Sequence, residues 1–260
     1  MKLSVIIPCY NEADNVQKLH DELLPVVRAL LVSGWQNAPE ALESAEMLFV
    51  DDGSRDGTYA RLKEVFDTEK SLGLSFQFLK HETNAGLGAA IRTGFSHASG
   101  DILVTVDSDG TYQFSGLPAL LNCLTPGVDI VTASPYHPLG GVIGVPGYRL
   151  FFSKGSSLLY RILVDRNVHT YTCLFRAYRS QVVHQVSFAS NDFLGGTELL
   201  VRAMLKGYRV AEFPDVLYKR MYGISKARTA RTIRSHLKFL GWILLQRLRL
   251  AFGVRMNETV

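Results

Sequence analysis

Short apolar runs alternate with segments of helical spacing along the first half of the chain. Five runs are nearly continuous in hydrophobic residues, which is typical of strands buried on both faces of a sheet. They lie at residues 3–8, 46–51, 75–80, 102–106 and 128–133. Helical spacing follows the first four runs, at residues 15–31, 58–68, 88–99 and 116–124. Repeated strand–helix units predict an α/β fold with a mostly parallel sheet flanked by helices.

The pattern changes after residue 134. Residues 135–147 are rich in glycine and proline, which predicts a loop or lid, and residues 148–164 have helical spacing. A last helix is predicted from about Thr229. One of its faces carries Ile233, Leu237, Leu240, Leu244 and Leu248, and another carries Arg231, Arg234 and Lys238.

The basic amphipathic pattern of this last helix has two interpretations. Such a helix can lie in a membrane interface, with its cations near lipid phosphates. It can equally pack on the core or on a second copy of the chain. We therefore predict a main domain over residues 1–226 and a C-terminal basic amphipathic helix over residues 227–260, with membrane association left open.

Composition limits the class of protein. The chain has 260 residues, 47% of them hydrophobic, and a formal net charge of +4, which fits one large α/β domain. Its three cysteines are far apart and lack zinc-ligand or redox spacing, which favours reduced thiols and the cytoplasm. The first apolar run is too short for a signal peptide, and residues 237–250 are too often interrupted by polar residues to span a membrane. We expect a cytoplasmic protein, with peripheral contact at the cytosolic membrane face as an open alternative.

Polar clusters follow four of the predicted strands. Because parallel strands place their carboxyl ends at one edge of the sheet, these clusters are expected to meet there. Asp107 and Asp109 stand two residues apart after an apolar strand, so both carboxylates can face one point. Taken alone, Asp107-Ser-Asp-Gly also suits a simple turn. Four such clusters at one edge favour a site for Mg²⁺ or Mn²⁺ shared with a diphosphate.

Four motifs carry a resemblance to a known family. They are VIIPCYNE at residues 5–12, VDDGSRDGT at 50–58, NAGLGAAIRTG at 84–94 and DSD at 107–109. In order and spacing they resemble the family 2 glycosyltransferases of GT-A fold, and most of all the dolichyl- and polyprenyl-phosphate mannosyl- or glucosyltransferases. The resemblance is strong over residues 1–130 and looser at 172–178 and 212–226.

This resemblance implies a function. It implies a metal-dependent transfer of a sugar from a GDP- or UDP-linked nucleotide sugar to a polyprenyl phosphate. We also predict inversion at the anomeric carbon, whichever acceptor is used, and no nucleic-acid partner. It also implies residue roles. The nucleotide sugar would contact Pro8, Tyr10, Glu12, Val50, Asp52, Asn84 and Ser108. Asp107 and Asp109 would hold the metal ion and act in catalysis, and substrate phosphates would meet Arg176, Arg220, Ser225 and Lys226.

The chain departs from the family pattern at two positions. Ser134-Pro-Tyr136 stands where the lipid-phosphate mannosyltransferases usually carry an arginine, which puts one phosphate contact in doubt. Thr111 stands where some relatives place a glutamine metal ligand, although Gln113 is near. The sugar, the nucleobase and the acceptor are therefore less determined than the fold.

Other functions stay open at this point. A lipid-phosphate acceptor is already an anion, whereas a saccharide hydroxyl acceptor needs a general base, for which Asp192 and Glu198 are candidates. Asp192 lies where hydroxyl-acceptor relatives place their catalytic carboxylate. Arg220 and Lys226 could instead belong to a solvated basic loop. An alternative from another class is a non-catalytic module that binds a nucleotide or a lipid phosphate.

Overall fold

The computed structural model describes residues 1–220 and 229–251. Strands and helices alternate along most of this length. The strands are β1 Lys2–Cys9, β2 Ser44–Asp51, β3 Leu74–Lys80, β4 Ile102–Thr105, β5 Ile130–Ser134, β6 Gly141–Ile143, β7 Arg176–Arg179, β8 Val210–Pro214 and β9 Val216–Tyr218. The helices are α1 Val16–Lys18, α2 Leu24–Ser33, α3 Thr58–Phe66, α4 Leu87–His97, α5 Leu117–Asn122, α6 Gly147–Leu163, α7 Ser180–Gln185, α8 Gly195–Leu205 and α9 Thr229–Ala251. A 3₁₀ turn precedes α1, and a π-helical turn joins α1 to α2.

Seven strands form the main sheet, in the order β3-β2-β1-β4-β7-β5-β8. Neighbouring strands are parallel except at β7, which runs antiparallel to β4 and β5. A separate parallel pair joins β6 to β9. The predicted mostly parallel α/β sheet of GT-A type is therefore confirmed.

Alternate residues of each strand pack on opposite faces of the sheet. Leu3, Val5 and Ile7 of β1 belong to one buried cluster with α1, α2, α3 and α5. Ile6 belongs to a second cluster with α4, α6, α8 and α9. Because helices cover both faces, the central strands β1, β2 and β4 are buried at nearly every position and are apolar at most of them, with little alternation.

The five predicted strands are present, with ends shifted by no more than two residues. The prediction missed β7, which lies between β4 and β5 and pairs Thr105 with Arg176. The prediction of a loop over residues 135–147 is wrong where β6 forms. In residues 1–220 and 229–251, none of the helices combines the length and the apolar character that crossing a bilayer requires.

Helix α9 has apolar residues on two sides, and the predicted apolar face lies at the border between the buried and the exposed side. Phe239, Leu240 and Ile243 are buried against the rest of the protein. Leu237, Leu244 and Leu248 were placed on the same face as Leu240, but each is about half exposed or more. The boundary predicted between residues 226 and 227 stays a prediction.

Candidate active site

A cleft of about 1100 Å³ opens at the carboxyl edge of β1, β2 and β4. It brings together most of the residues that the sequence indicated. Its lining includes Pro8, Tyr10, Glu12, Asp52, Asn84, Asp107, Ser108, Asp109, Asp192 and Arg220. These residues come from six separate stretches of the chain, so the convergence results from the fold.

The carboxylate pair lies on the segment that leaves β4. Asp109 Oδ1 accepts the Thr111 backbone N–H at 3.1 Å, which fixes its orientation. Burial and the neighbouring Asp109 carboxylate raise the pKa of Asp107 well above its ordinary value, and Arg220 opposes this shift. Two close carboxylates in a partly buried place are a donor set that suits a hard divalent cation. The residues present therefore fit the Mg²⁺ or Mn²⁺ that the sequence predicted.

Arg220 lies between Glu12 and the carboxylate pair. Its Nη2 forms an ion pair with Glu12 Oε2, and its Nε lies 3.5 Å from Asp109 Oδ2. Glu12 Oε2 also accepts a hydrogen bond from Asn15 Nδ2 at 2.6 Å. Burial raises the pKa of Glu12, while Arg220 and Asn15 act to lower it. A phosphate bound beside Asp109 would meet a guanidinium already positioned by Glu12.

Asp52 is buried at the side of the cleft and fixes the loop before α4. Its Oδ1 lies 2.7 Å from His81 Nδ1 and accepts the Ala85 N–H at 2.8 Å. Its Oδ2 accepts Asn84 Nδ2 and the Gly86 N–H, each at 2.8 Å. The carboxylate therefore holds the chain at residues 84–86, and its contact with a nucleobase stays a prediction.

Two predicted contacts are wrong, and two lie outside the described residues. Val50 is fully buried in the core behind Asp52, so it does not reach the cleft. Arg176 is also fully buried, and its guanidinium donates to Thr132 Oγ1, to the Tyr171 carbonyl and to the Gly196 carbonyl. These bonds leave Arg176 no access to an acceptor phosphate. Ser225 and Lys226 lie outside the residues that the structure describes.

The two candidate bases differ. Asp192 lines the cleft, where its Oδ1 accepts the Leu194 N–H at 2.9 Å and its Oδ2 accepts Ser235 Oγ at 2.5 Å. Glu198 is buried, and it accepts the Ser190 N–H and Arg202 Nε. Glu198 is therefore a structural residue, and its candidacy as a base is wrong. Gln113 lines a separate cleft of about 650 Å³.

Sequence reasoning missed a set of cations around the cleft. Four basic residues join Arg220 in its lining: Arg55, Arg149, Lys219 and Arg231. Arg149 and Arg231 lie in the first turns of α6 and α9, and both helices begin at the cleft. Their spacing along the chain carries no recognisable motif, so the folded arrangement was needed to find them.

A mostly parallel sheet with an acidic pair and a polar cleft at its carboxyl edge is typical of the GT-A fold. A family model described as glycosyl transferase family 2 matches residues 4–187, and the chain belongs to this family and is a glycosyltransferase.

Two curated relatives cover nearly the whole chain. The polyprenol monophosphomannose synthase of Mycolicibacterium smegmatis is 31% identical over 256 residues, which are 96% of this chain and 90% of that protein. The dolichol-phosphate mannosyltransferase of Pyrococcus furiosus is 30% identical over 244 residues. These are 92% of this chain but 63% of that protein, so this chain spans under two thirds of its length.

Solved structures support the fold at lower identity. The glucosyl-3-phosphoglycerate synthase of Mycobacterium tuberculosis, solved with Mn²⁺, UDP and glucosyl-3-phosphoglycerate, superposes with a TM-score of 0.61 and 20% identity. The match covers 95% of this chain and 79% of that chain. The same enzyme with Mg²⁺ and UDP gives a TM-score of 0.62 at 19% identity.

Proposed function

We propose that this glycosyltransferase moves a sugar from a nucleotide-diphosphate sugar to a polyprenyl phosphate, with inversion at the anomeric carbon. The curated relatives are named for sugar transfer to such lipids. The observation that carries the proposal is the charge pattern of the cleft. Its lining combines the carboxylates of Asp107 and Asp109 with the cations of Arg149, Lys219 and Arg231. An acidic pair with separate cations suits a reaction in which both substrates carry phosphate.

The donor would bind along the β1, β2 and β4 ends. Pro8 and Tyr10 offer an apolar and an aromatic surface for the nucleobase, and Ser108 a hydroxyl for the ribose. Asp107 and Asp109 would hold Mg²⁺ or Mn²⁺, which when bound neutralises diphosphate charge. Arg220 would contact the diphosphate, and Ser225 and Lys226 are proposed to assist it. Solved neighbours contain UDP, but the choice between UDP and GDP stays open.

The acceptor chemistry favours inversion. An oxygen of the lipid phosphate forms the new bond to the anomeric carbon while the carbon–oxygen bond to the diphosphate breaks. The departing nucleoside diphosphate takes the electron pair. The acceptor is already anionic, so positioning and charge stabilisation can carry the reaction without a strong base. Attack opposite the leaving group turns an α-linked donor into a β-linked product.

A saccharide hydroxyl acceptor is the second candidate, because Asp192 lines the same cleft. A hydroxyl acceptor would need this carboxylate as its base. Both Asp192 oxygens already accept hydrogen bonds, from Leu194 N–H and Ser235 Oγ. This arrangement favours a positioning role for Asp192 and thus the anionic acceptor.

One assay separates these candidates. The protein is incubated with Mg²⁺ or Mn²⁺ and a panel of UDP- and GDP-sugars, with and without polyprenyl phosphate, and nucleoside diphosphate release is followed. Release that depends on the lipid supports the proposal. Release that needs an oligosaccharide instead, and that Asp192→Asn abolishes, supports the second candidate. An α-linked lipid product from an α-linked donor contradicts inversion.

Asp109→Asn tests the acidic pair. The change removes one negative charge from the predicted metal site, so we expect kcat/KM to fall by about 100-fold or more. Asp67→Asn is the matched control, because Asp67 is exposed at the end of α3. Turnover of Asp109→Asn equal to that of the control would place the chemistry elsewhere.

A further inference from the structure

Helix α6 has an inverted distribution of polar and apolar side chains. A helix packed on a core normally buries its apolar stripe. In α6 the inward side includes polar residues that make hydrogen bonds. Ser153 Oγ accepts Tyr136 OH at 2.8 Å and lies 2.7 Å from Thr172 Oγ1, and Ser157 Oγ accepts the Tyr171 N–H at 3.2 Å.

The outward side of α6 is apolar. Phe151 is 75% exposed, and Leu158 and Ile162 are each more than half exposed. Helix α9 shows a related pattern, with His236 and Gln246 buried while Leu237 and Leu245 are more than half exposed. Ten of the fifteen exposed large hydrophobic residues in the described chain lie on these two helices. Such a concentration is a patch rather than the scatter that monomers normally show.

The two helices lie side by side and run in the same direction. Tyr160 OH lies 2.9 Å from His236 Nδ1, and further along both helices Arg247 Nη2 donates to the Val164 carbonyl at 3.0 Å. Phe152 and Leu159 are seven residues apart and share one stripe of α6, and this stripe borders the seam because Leu159 directly precedes Tyr160. Leu237, Leu244 and Leu248 share one stripe of α9, which borders the seam because Leu237 follows His236 and Leu248 follows Arg247. The outward apolar stripes therefore adjoin.

The charges on both helices have one sign. Helix α6 carries Arg149, Lys154 and Arg161. Helix α9 carries Arg231, Arg234, Lys238, Arg247 and Arg249. Over their described lengths, neither helix contains aspartate or glutamate. An apolar stripe flanked by cations matches a surface with an apolar interior and anionic headgroups.

We propose that the outward surfaces of α6 and α9, here called the α6–α9 face, dock the protein on an anionic lipid bilayer. The face is defined by Phe151, Phe152, Leu158, Leu159, Ile162, Leu237, Leu244, Leu245 and Leu248. The apolar side chains enter the headgroup boundary, and the flanking lysines and arginines meet lipid phosphates. The proposed face adds α6, for which the sequence indicated no membrane contact, and it retains Leu237, Leu244 and Leu248 of the apolar face predicted for α9.

The α6–α9 face adjoins the cleft in which the lipid phosphate is proposed to react. The link between docking and catalysis rests on that proposed function. Tyr148, Arg149 and Leu150 of α6 and Arg231 and Thr232 of α9 line the catalytic cleft. The cleft therefore opens at the end where both docking helices begin. A lipid phosphate could reach the acidic pair while its hydrocarbon chain stays in the bilayer.

A bilayer fits this face better than a second copy of the chain does. An interface between two copies would place the cations of one face against the cations of the other, which like-charge repulsion opposes. A bilayer with anionic lipid instead supplies counter-charges at the headgroups and an apolar layer beneath them. The positive charge of the face therefore favours an anionic bilayer over a second copy of the chain.

Vesicle flotation of the full chain tests the proposal without nucleotide sugar or polyprenyl phosphate. We expect stronger binding to phosphatidylcholine vesicles containing about one third phosphatidylglycerol than to phosphatidylcholine alone, and weaker binding with added salt. The triple change Phe151→Ser, Leu159→Ser and Leu244→Ser should lower the partition coefficient by about tenfold or more. Val32→Ser with Leu72→Ser is the matched control, since both side chains are exposed elsewhere and binding should persist.

Further results of the vesicle experiments would support or overturn docking by the α6–α9 face. If the triple variant melts at a lower temperature than the wild type, Lys238→Gln with Arg249→Gln replaces it, and binding to the anionic vesicles should still fall. Vesicle binding that the face variants leave unchanged, or no binding by the wild type, overturns the proposal. So does a dimer in solution that these substitutions dissociate, together with no vesicle binding.

Activity on a water-soluble, short-chain prenyl phosphate separates this inference from the proposed function. Turnover of that acceptor by a face variant that no longer floats would support both proposals. Flotation by a wild type that turns over neither short nor long prenyl phosphates would reject the transfer and retain the docking face.

Discussion

Four donors surround the two oxygens of Asp52. They come from one histidine, one asparagine and two backbone amides, and they tie the end of β2 to the residues before α4. A carboxylate has about four acceptor positions, so these partners use its capacity. At this residue the negative charge sets the shape of the loop.

Asp52→Asn should therefore destabilise the fold. Asparagine keeps one acceptor oxygen and points an NH₂ group at donors, which leaves buried groups unpaired. We expect the free energy of unfolding to fall by about 2 kcal/mol, measured by urea denaturation.

The KM for the nucleotide sugar distinguishes a structural role of Asp52 from a role in nucleobase binding. If Asp52 contacted the nucleobase without supporting the loop, the KM would rise while the urea midpoint stayed constant. Asp67→Asn, at an exposed position, is the stability control and should leave both values near those of the wild type.

The sequence predicted a residue's role correctly where the motif determined both the position of the residue and the direction of its side chain. Asp107, Asp109 and Glu12 follow strands, and the turn after each strand directs them into the cleft. Val50 and Arg176 failed because position in a motif does not tell which way a side chain points. Val50 still belongs to β2, where apolar residues point inward on both faces, and Arg176 is enclosed by residues distant in sequence.

At the scale of elements, the seam between α6 and α9 contains a buried titratable group. His236 is 6% exposed and its ring lies against Tyr160. Burial lowers the pKa of His236 to about 4 from an ordinary value of 6.5, against a smaller upward effect of Asp192. The imidazole is therefore neutral in the folded protein at neutral pH.

This depressed pKa predicts a loss of stability in mild acid. Between pH 6.5 and 4 the unfolded chain binds the proton more readily than the folded one, so acid favours unfolding. The free energy of unfolding is therefore unaffected by protonation of His236 above about pH 6.5. It decreases as the pH falls through this window, by up to roughly 3 kcal/mol. Urea unfolding at several pH values measures it.

His236→Gln should flatten that pH dependence, because glutamine can still bond Tyr160 but does not titrate. The matched control is His97→Gln at an exposed position, which should retain the pH dependence of the wild type. An unchanged slope in His236→Gln would assign the acid sensitivity to other groups.

Strands and helices were predictable when their own residues determine the structure, and less so when contacts with distant residues do. The five predicted strands were found because each lies in a run rich in hydrophobic residues, as burial in a sheet requires. Strand β7 was missed because its four residues include arginine at both ends, and pairing with β4 and β5 is what makes it a strand. In α9 apolar residues surround much of the helix, so contact with neighbours decided which side is buried.

At the scale of the whole molecule, the start of α4 is joined to the segment before α8. The Gly88 N–H donates to the Asn191 carbonyl at 2.8 Å, and Arg92 Nη1 donates to the Ser190 carbonyl at 3.0 Å. Backbone approaches backbone so closely that a Cβ at Gly88 would lie 2.1 Å from the Ser190 oxygen. This contact connects the start of α4 to the segment that carries Asp192.

Gly88→Ala should disturb this connection. Because the clashing atom is backbone, the segment before α8 must shift, and we expect a loss of about 2 kcal/mol in the free energy of unfolding. Thermal and urea unfolding measure it. Gly155→Ala in α6 meets nothing within 4 Å and should keep or raise stability, by up to about 1 kcal/mol. Equal stabilities of the two variants would contradict the packing described for Gly88.

Strand β7 lies between β4 and β5 in the sheet but follows both of them in the sequence, so the sheet cannot form in the order in which its strands are synthesised. β4 and β5 emerge from the ribosome early, yet each pairs with a strand that begins at Arg176. Until that segment is available, both strands expose unpaired edges, and such edges recruit other chains. A nascent chain that stops between β5 and β7 is thus expected to depend on chaperones, and the yield of folded protein should reflect how quickly residues 135–179 are translated.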